Sequence, residues 1–220
     1  MSEGNGKIRI TVPVRSSHIY QCLGSAQRDL FTFGLDRADL AHTPGSPVQV
    51  TRNNGVREFL ETDREWMLWI DDDIMLPEGG AQTMMSTAEE IGPCVVSAIC
   101  PIIQFTSEGN IGIAANVAVK VEQGIGWLSW KDVQQRSSPF DVMSCGAGCI
   151  LVHRKIYESL EWPWFEWVQS ANGTDLGEDC YFGEKVLANG FRIVAEPRVW
   201  AEHWNTVPLL KMARTYAMDG

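Results

Sequence analysis

Positive charge is scarce in this sequence, which carries 18 Lys and Arg residues against 28 Asp and Glu residues, a formal net charge of -10. So acidic a chain repels phosphate backbones, which argues against non-specific binding to nucleic acid. None of the six cysteines belongs to a C-x-x-C pair. The common zinc patterns are therefore missing, and small buried thiols in a reducing compartment are favoured over a disulfide framework.

Long apolar runs are missing as well. No stretch approaches the ~20 apolar residues that a membrane-spanning helix needs, and the opening MSEGNGKIRI lacks the apolar segment of a signal peptide. We therefore expect a soluble, cytoplasmic protein without a membrane span. A chain of 220 residues with 45% hydrophobic content fits one globular domain with a self-sufficient core.

Apolar periodicity in the first half predicts alternating strands and helices. The alternation over residues 7–15 and the run WMLWI (Trp66–Ile70) are typical of strands, the second buried on both faces. Residues 94–103 predict another buried strand, and VQVTRNNG predicts a short strand that breaks at Asn53-Asn54-Gly55. The predicted helices cover residues 16 to about 35, a segment beginning near Gly55, and residues 79–91. Residues 42–47 have loop composition.

The second half is less regular. Residues 110–130 predict strands or a hairpin, and a glycine-rich strand precedes a helix that begins at about Arg154. CYFGEKVLANGF predicts a helix closed by Gly190, followed by a final strand pair over residues 192–204. The whole pattern predicts an α/β fold with a mostly parallel central sheet flanked by helices and a smaller antiparallel part in the second half.

The strongest chemical feature is the carboxylate triplet Asp71, Asp72 and Asp73, which directly follows Trp66–Ile70. Adjacent ionised carboxylates repel one another unless a cation neutralises them. Ligands of open α/β sheets bind beyond the carboxyl ends of strands, where this triplet is expected. Hard oxygen ligands suit Mg²⁺ or Mn²⁺, which also bind a diphosphate. A solvated acidic turn explains a bare DDD equally well.

Three weaker signals accompany the triplet. Glu178 and Asp179 open a predicted helix, where a carboxylate either favours the helix dipole or serves as a general base. His203, in VWAEHW, is either a hydrogen-bonded structural residue or the completion of a carboxylate metal site. Arg52 and Asn53, predicted at a strand end, could reach a phosphate or a base, although a surface charge is the simpler explanation for the arginine.

The order and spacing of these motifs resemble the glycosyltransferases of the GT-A fold, closest to the family-2 type. The resemblance covers nearly the whole chain, from ITVPVR to VWAEHW. WMLWIDDDIMLP resembles the D-x-D strand, and VMSCGAGCILVHRKIYESL resembles the acceptor-side strand and helix. LGEDCYFGEKV resembles the E-D motif about a hundred residues later, and a late histidine follows. The combination is much more specific than a D-x-D alone.

This resemblance implies a role for each matched residue. Asp179 would be the catalytic base with Glu178 in support, and Asp71, Asp73 and His203 would hold Mn²⁺ or Mg²⁺. The residues implied to bind the nucleotide-sugar are Pro13, Val14, Arg15, Arg52, Asn53, Asp71, Asp72, Gly146 and Gly148. A single displacement by an acceptor hydroxyl would invert the anomeric configuration.

The resemblance also implies an organisation and a set of ligands. Within a single domain spanning residues 1–220, residues from about 7 to 105 would bind the donor, about 106 to 205 would carry the acceptor side, and 206–220 would form a tail. A UDP-sugar is the favoured donor, and the acceptor is a glycan, a protein, a lipid-linked sugar or a modified nucleobase. Trp162, Trp164 and Trp167 would either stack on a sugar or base or pack in the core.

Two other functions fit an α/β sheet with metal-binding acids. One is a nucleotidyltransferase, although such enzymes usually follow strand one with a glycine-rich loop and VPVRSSHIYQ has no glycine. The other is a non-catalytic nucleotide- or carbohydrate-binding module, in which Asp179 would be replaceable.

Overall fold

The computed structural model describes residues 8–14, 20–34, 38–45, 47–105, 111–121, 124–169, 175–205 and 207–208. Its strands, in chain order, are β1 (Ile8–Val14), β2 (Ala38–Pro44), β3 (Trp66–Ile70), β4 (Ile74–Met75), β5 (Cys94–Ile99), β6 (Pro101–Phe105), β7 (Ile111–Val121), β8 (Gly124–Ser129), β9 (Phe140–Asp141), β10 (Ser144–Cys145), β11 (Cys149–His153), β12 (Arg192–Trp200), β13 (Glu202–Asn205) and β14 (Val207–Pro208). Its helices are α1 (Tyr20–Phe33), α2 (Val48–Leu60), α3 (Gly80–Ile91), α4 (Trp130–Gln134), α5 (Arg154–Ser159) and α6 (Glu178–Ala188).

A mixed sheet of seven strands, in the order β2-β1-β3-β11-β5-β12-β9, forms the centre of the fold. β1 pairs in parallel with β2 and β3, and β5 pairs in parallel with β12. β11 is antiparallel to both of its neighbours, so β1, β2, β3, β5 and β12 share one direction. A smaller antiparallel sheet contains β10, β7 and β6, with β8 paired to β7. The predicted fold class is confirmed.

The central sheet buries apolar side chains on both faces. β3 is buried at every position, and its side chains alternate between two core clusters. Met67 and Trp69 belong to one cluster, while Trp66, Leu68 and Ile70 belong to the other. This division follows the two-residue period of a strand, in which successive side chains point to opposite faces. It also explains why WMLWI is continuously apolar rather than alternating.

The predicted short strand at the start of VQVTRNNG is wrong, because α2 runs through the whole segment from Val48 to Leu60. Pro47 occupies the N-cap, and its fixed backbone is compatible with a helix beginning immediately after it. Gly55 is tolerated inside the helix for a packing reason. A Cβ at Gly55 would lie 2.5 Å from Cη2 of Trp69, so only glycine lets α2 approach β3 this closely. Arg52 and Asn53 therefore lie on a helix rather than at a strand end.

The predicted continuous strand over residues 94–103 is two strands in different sheets. The chain leaves the central sheet after β5 and enters the smaller sheet as β6. At the crossing, the backbone N–H of Cys100 donates to Oδ1 of Asn116 at 2.8 Å, and Pro101 has no N–H to donate. The predicted loop over residues 42–47 is also wrong in part, because β2 continues through Pro44 as an edge strand of the central sheet.

Several predicted elements are confirmed. β7 and β8 form the antiparallel pair expected over residues 110–130, and α3 lies within the predicted residues 79–91. α6 is followed by Gly190, whose φ of 79° is readily adopted only by glycine. None of the helices in the described part of the chain has the length and apolarity that a membrane span requires. The central sheet draws strands from both halves of the chain, and the predicted division near residue 105 stays a prediction.

Helix α1 carries a buried carboxylate, Asp29. Asp29 is 1% exposed, and its Oδ1 accepts hydrogen bonds only from the neighbouring Arg28, at 3.2 and 3.3 Å, within the described residues. Burial raises the pKa of Asp29 to about 6, although Arg28 opposes the shift. A carboxyl with a raised folded-state pKa stabilises the fold below its unfolded value near 4, and that stability is lost as the pH rises through 6.

We therefore expect Asp29→Asn to be more stable than the wild type at pH 8 by about 3 kcal/mol, with the difference shrinking toward pH 4. The measurement is urea unfolding at several pH values. Asp141→Asn is the control, because the Asp141 side chain is 66% exposed and its ion pair with Arg192 lies at the surface. A stability difference that does not change with pH would contradict the assigned cause.

Candidate active site

The carboxylate triplet lies at the carboxyl end of β3, as the sequence predicts. β11 runs antiparallel to β3 and pairs Cys149 with Ile70. The residue before β11, Gly148, therefore lies beside Asp71, whose backbone N–H donates to the Gly148 carbonyl at 2.8 Å. A Cβ on Gly148 would lie 3.4 Å from Oδ2 of Asp71, so a side chain here would crowd the carboxylate. Backbone thus lines one side of the triplet.

Arg52 connects this carboxylate motif to the second one. Its Nη2 donates to both carboxylate oxygens of Asp71 at 3.0 Å, and its Nε lies 3.7 Å from Oε1 of Glu178. The guanidinium also lies over the rings of Trp69 and Phe165, at 5.5 and 5.9 Å from their centroids. Arg52 is 2% exposed, so the simpler explanation of a surface charge is wrong. Its contact with a nucleotide stays a prediction.

The charges around Arg52 are unequal. Burial would lower the pKa of Arg52, but Asp71, Glu178 and Asp179 together raise it, so the guanidinium stays protonated. Burial and the neighbouring Asp179 raise the pKa of Glu178, and Arg52 opposes that shift. One buried cation therefore faces several carboxylates. Removing it would leave them with uncompensated negative charge in a buried setting.

Glu178 and Asp179 begin α6, which confirms the predicted helix start. The N-cap is Gly177, which offers no side-chain cap, and Oδ1 of Asp179 accepts a hydrogen bond from the Cys180 backbone N–H at 2.7 Å. A Cβ on Gly146 would lie 3.7 Å from Oδ2 of Asp179. The turn containing Gly146 and Gly148 thus lies between the two carboxylate motifs.

His203 is brought to the triplet by strand pairing. β13 runs antiparallel to β4 with His203 opposite Ile74, and the Trp204 backbone N–H donates to the Asp73 carbonyl at 2.7 Å. Nδ1 of His203 is 3.0 Å from the Pro101 carbonyl, and Nε2 is 3.5 Å from Oδ2 of Asp73. A carbonyl can only accept, so the proton of a neutral ring lies on Nδ1, and the Nε2 lone pair faces Asp73.

Two electron-pair donors that face each other at this separation need a proton or a cation between them. Burial would lower the pKa of His203, but the hydrogen bond and charge of Asp73 outweigh burial, and the pKa is raised. Without a metal, a proton on Nε2 therefore lies between the two groups. A divalent cation would satisfy the same two atoms. A hydrogen bond from Nδ1 to a backbone carbonyl is the usual arrangement for a histidine that binds a metal through Nε2. Asp73 and His203 therefore fit a divalent cation, although the described residues contain no group of three or more His, Cys, Asp or Glu side chains already gathered for a metal.

The remaining predicted ligands are distributed around this site. Pro13 is buried near the end of β1, opposite Thr43, and Val14 ends that strand. Arg15 lies outside the described residues. Asp72 is buried, and it lies close enough to Cys22 on α1 to contribute, after burial and Asp73, to raising the pKa of that thiol to about 12. Their contacts with a ligand stay predictions.

Asn53 has a structural task. Its Nδ2 donates to the Phe165 carbonyl at 2.7 Å, and its Oδ1 accepts from the backbone N–H groups of Trp164 and Phe165 at 3.0 and 3.1 Å. A fourth bond joins Nδ2 to the Gln49 carbonyl at 2.8 Å. All four hydrogen bonds of this amide therefore go to main-chain groups, three of them in Trp164 and Phe165. Its predicted nucleotide contact is not tested by this arrangement, but would have to compete with it.

Asn116 is the supporting residue that the sequence reasoning missed. It is buried in β7, where its carbonyl accepts from the Gly146 backbone N–H at 2.8 Å and its Oδ1 accepts from the Cys100 N–H. It therefore holds the glycine-containing turn and the crossing between the two sheets. A signal was present, because a lone asparagine inside the apolar strand IGIAANVAVKV requires partners for its amide.

Comparisons with known proteins place the fold. No protein-family profile matches this chain, and no curated protein sequence matches it. Among solved structures, it is similar to A197 from STIV, with a TM-score of 0.59 and 19% identity over 90% of this chain and 86% of that one. It is also similar to GalNAc-T7 crystallised with UDP, GalNAc and Mn²⁺, with a TM-score of 0.60 and 8% identity over 92% of this chain and 44% of that one. The chain thus shares the GT-A type of α/β fold.

Proposed function

We propose that this protein is a glycosyltransferase that moves a sugar from a nucleotide-sugar to a hydroxyl acceptor with the help of a divalent cation. The observation that carries the proposal is the link through Arg52, which joins Asp71 of the D-x-D segment to Glu178 of the E-D segment. These motifs are about a hundred residues apart in the sequence. Their meeting beyond the carboxyl end of β3, with His203 beside Asp73, supports a transferase site at this position.

Asp73 and His203 would hold the cation, which is proposed to be Mn²⁺ or Mg²⁺ because the carboxylate is a hard oxygen ligand. A bound divalent cation neutralises the negative charge of the departing nucleoside diphosphate. Asp71 accepts two hydrogen bonds from Arg52, so its proposed task is to orient the donor or support the cation. The Mn²⁺ in the crystallised GalNAc-T7 makes this the first ion to test.

Asp179 would accept the proton of the acceptor hydroxyl as that oxygen attacks the anomeric carbon. Its position at the first turn of α6 supports this role, because the helix N-terminus favours an ionised carboxylate. Glu178, tied to Arg52, would support the acceptor side. One displacement assisted by one base inverts the anomeric configuration, so we propose an inverting reaction.

The donor would lie along the carboxyl ends of β1 and β3. Pro13, Val14 and Arg15 are proposed to line the nucleotide pocket, and the turn at Gly146 and Gly148 is proposed to let the sugar approach backbone closely. UDP-sugars are the first donors to test, because the GalNAc-T7 structure contains UDP. Binding of this class would require no basic groove, since a divalent cation held by Asp73 and His203 would supply the positive charge for the diphosphate.

The test is donor hydrolysis, measured as nucleoside diphosphate released from UDP-, GDP- and dTDP-sugars with Mn²⁺, Mg²⁺ or EDTA. We expect slow, metal-dependent turnover of at least one donor. Asp73→Asn and His203→Ala should each lower it at least about 10-fold, which corresponds to the loss of about 1.4 kcal/mol of transition-state stabilisation. The same variants should lose the thermal stabilisation that Mn²⁺ gives the wild type, which measures binding without turnover.

Asp141→Asn is the matched control. Asp141 lies on β9, an edge strand of the central sheet that is four strands away from β3 and the carboxylate triplet. Metal-dependent stabilisation without hydrolysis in any condition would indicate a binding module or a transferase that waits for its acceptor. Absence of both stabilisation and hydrolysis would overturn the proposal. Nucleotide incorporation from a nucleoside triphosphate would favour the nucleotidyltransferase instead.

A further inference from the structure

We propose that Trp167 is the stacking surface for a neutral carbohydrate acceptor, an inference that rests on the proposed glycosyl transfer. Trp167 lies in the segment 161–169 between α5 and α6, and it is 51% exposed. An exposed tryptophan is informative, because folding normally removes so large an apolar side chain from water. Its location and its rigid support distinguish it from an incidental surface residue.

Trp167 lies beside the proposed base. A Cβ on Gly177 would lie 3.9 Å from Cζ3 of Trp167 and 3.0 Å from Oδ1 of Asp179. The indole edge and the carboxylate therefore flank one backbone position. A ligand bound against the indole would therefore lie within reach of the start of α6. Asp179 is where a hydroxyl must come for proton removal.

The backbone around Trp167 is fixed on both sides. Val168 and Leu176 exchange two backbone hydrogen bonds, at 3.0 and 2.9 Å, which holds residue 168 against the approach to α6. On the other side, Phe165 is buried and stacks on Phe182 of α6, with ring centroids 4.6 Å apart. A rigid aromatic side chain loses little conformational entropy when a ligand binds, which is how such residues gain affinity.

Core packing of this segment is accomplished by other residues. Trp164 is buried, and its Nε1 donates to the Tyr157 carbonyl at 2.9 Å. Phe165 contacts both Trp69 and Phe182. Of the three tryptophans for which stacking and packing were both open, Trp164 therefore packs in the core. The packing of α6 therefore does not depend on Trp167.

The charges near Trp167 favour a neutral ligand. Glu166 is exposed beside it, and Glu178 and Asp179 begin the adjacent helix. Together with the net charge of -10, these acids repel nucleic acids and anionic sugars. A neutral sugar offers an apolar C–H face to the indole and hydroxyl donors to the carboxylates. This combination of one aromatic face and a few convergent polar groups is typical of small-ligand sites.

Trp162 is a matched control within the same segment. It is 61% exposed, but its ring lies 5.6 Å from the guanidinium carbon of Arg57, on the outer part of α2. The flanking carbonyls of Glu161 and Pro163 accept from Lys185, which is near the last turn of α6. Lys185 is seven positions after Glu178 in the helix, about 10 Å along its axis. Trp162 therefore lies away from the proposed base.

The experiment is saturation-transfer NMR on the whole chain with a panel of neutral methyl glycosides and disaccharides at millimolar concentration. A basic peptide and a short single-stranded oligonucleotide are included as separate arms. The proteins are the wild type, Trp167→Ala, Trp167→Phe and Trp162→Ala, each checked for an unchanged melting temperature. We expect at least one glycoside to bind, with affinity about 10-fold weaker in Trp167→Ala. Binding should be retained in Trp167→Phe and Trp162→Ala.

The inference is overturned if no neutral glycoside binds the wild type, if only the peptide or the oligonucleotide binds, or if Trp167→Ala and Trp162→Ala behave alike. Its failure is distinguishable from that of the proposed function, because donor hydrolysis by the wild type needs no acceptor. Hydrolysis without glycoside binding would remove the role of Trp167 alone. Trp167-dependent glycoside binding without any donor turnover would instead leave a carbohydrate-binding module.

Discussion

Replacing Asp179 with asparagine is expected to lower kcat for sugar transfer by about 10² to 10⁴-fold, the range that removal of a general base produces. The amide has the shape of the carboxylate but cannot accept the acceptor proton. Its Oδ1 can still accept the hydrogen bond from the Cys180 backbone N–H, so the local geometry is preserved. The measurement is steady-state transfer with the donor identified by hydrolysis, together with the dissociation constant of that donor.

Two companion variants make the result specific. Glu184 lies on the exposed face of the same helix. Glu184→Gln therefore removes one negative charge away from the site, and this variant should transfer sugar at the wild-type rate. Glu178→Gln tests the proposed support of the acceptor side by Glu178, and it should lower kcat by less than Asp179→Asn does. A small loss of stability in Asp179→Asn is expected, because an acid in the first turn favours the helix dipole by about 0.3 to 1 kcal/mol. Unchanged kcat would show that Asp179 is not the base.

The second large effect is on stability. Arg52→Met should lower the free energy of unfolding by about 3 to 5 kcal/mol, which is typical when one partner of a buried ion pair is removed. Methionine can fill part of the space between Trp69 and Phe165, but it leaves Asp71 and Glu178 without their common cation. The measurement is urea unfolding at neutral pH.

Arg57→Met, one helical turn later and exposed, is the control and should change stability by less than about 1 kcal/mol. If Arg52→Met does not fold, Arg52→Lys keeps the charge but loses the planar guanidinium, whose Nη2 bonds both Asp71 oxygens while Nε faces Glu178, and should be intermediate. Adding Glu178→Gln to Arg52→Met should restore part of the loss, because one uncompensated carboxylate is removed. Wild-type stability in Arg52→Met would refute the assigned role of the ion pair.

Local pattern was sufficient for the elements whose environment matches their sequence. β3, α6 and the β7–β8 pair were predicted correctly, because an apolar run, a capped helix and a strand alternation each express one local preference. The error at α2 arose because Val48 and Val50 suggested a strand, whereas Pro47 and the packing of Gly55 against Trp69 decide for a helix. The error at residues 94–103 arose because a continuous apolar run does not reveal a change of sheet.

The candidate site shows the same division. Asp71, Asp73, Glu178, Asp179 and His203 were predicted from motif order, and the structure brings His203 to Asp73. The local sequence favours a surface position for Arg52, and the resemblance implies a nucleotide contact, but its burial between two carboxylates depends on the packing of α2 across β3. The residues adjacent to an arginine in the sequence do not reveal which carboxylates it will contact when those carboxylates are distant along the chain.

The sequence by itself determined the fold class, the position of the carboxylate triplet at a strand end and the start of α6 at Glu178. These depend on the local backbone preferences and apolar periodicity of a few consecutive residues. Only the tertiary structure decided that Arg52 meets Asp71 and Glu178 and that Trp167 meets the start of α6. Such meetings depend on sheet order and helix packing, because the free energy that creates them comes from burying surfaces that are far apart in the chain.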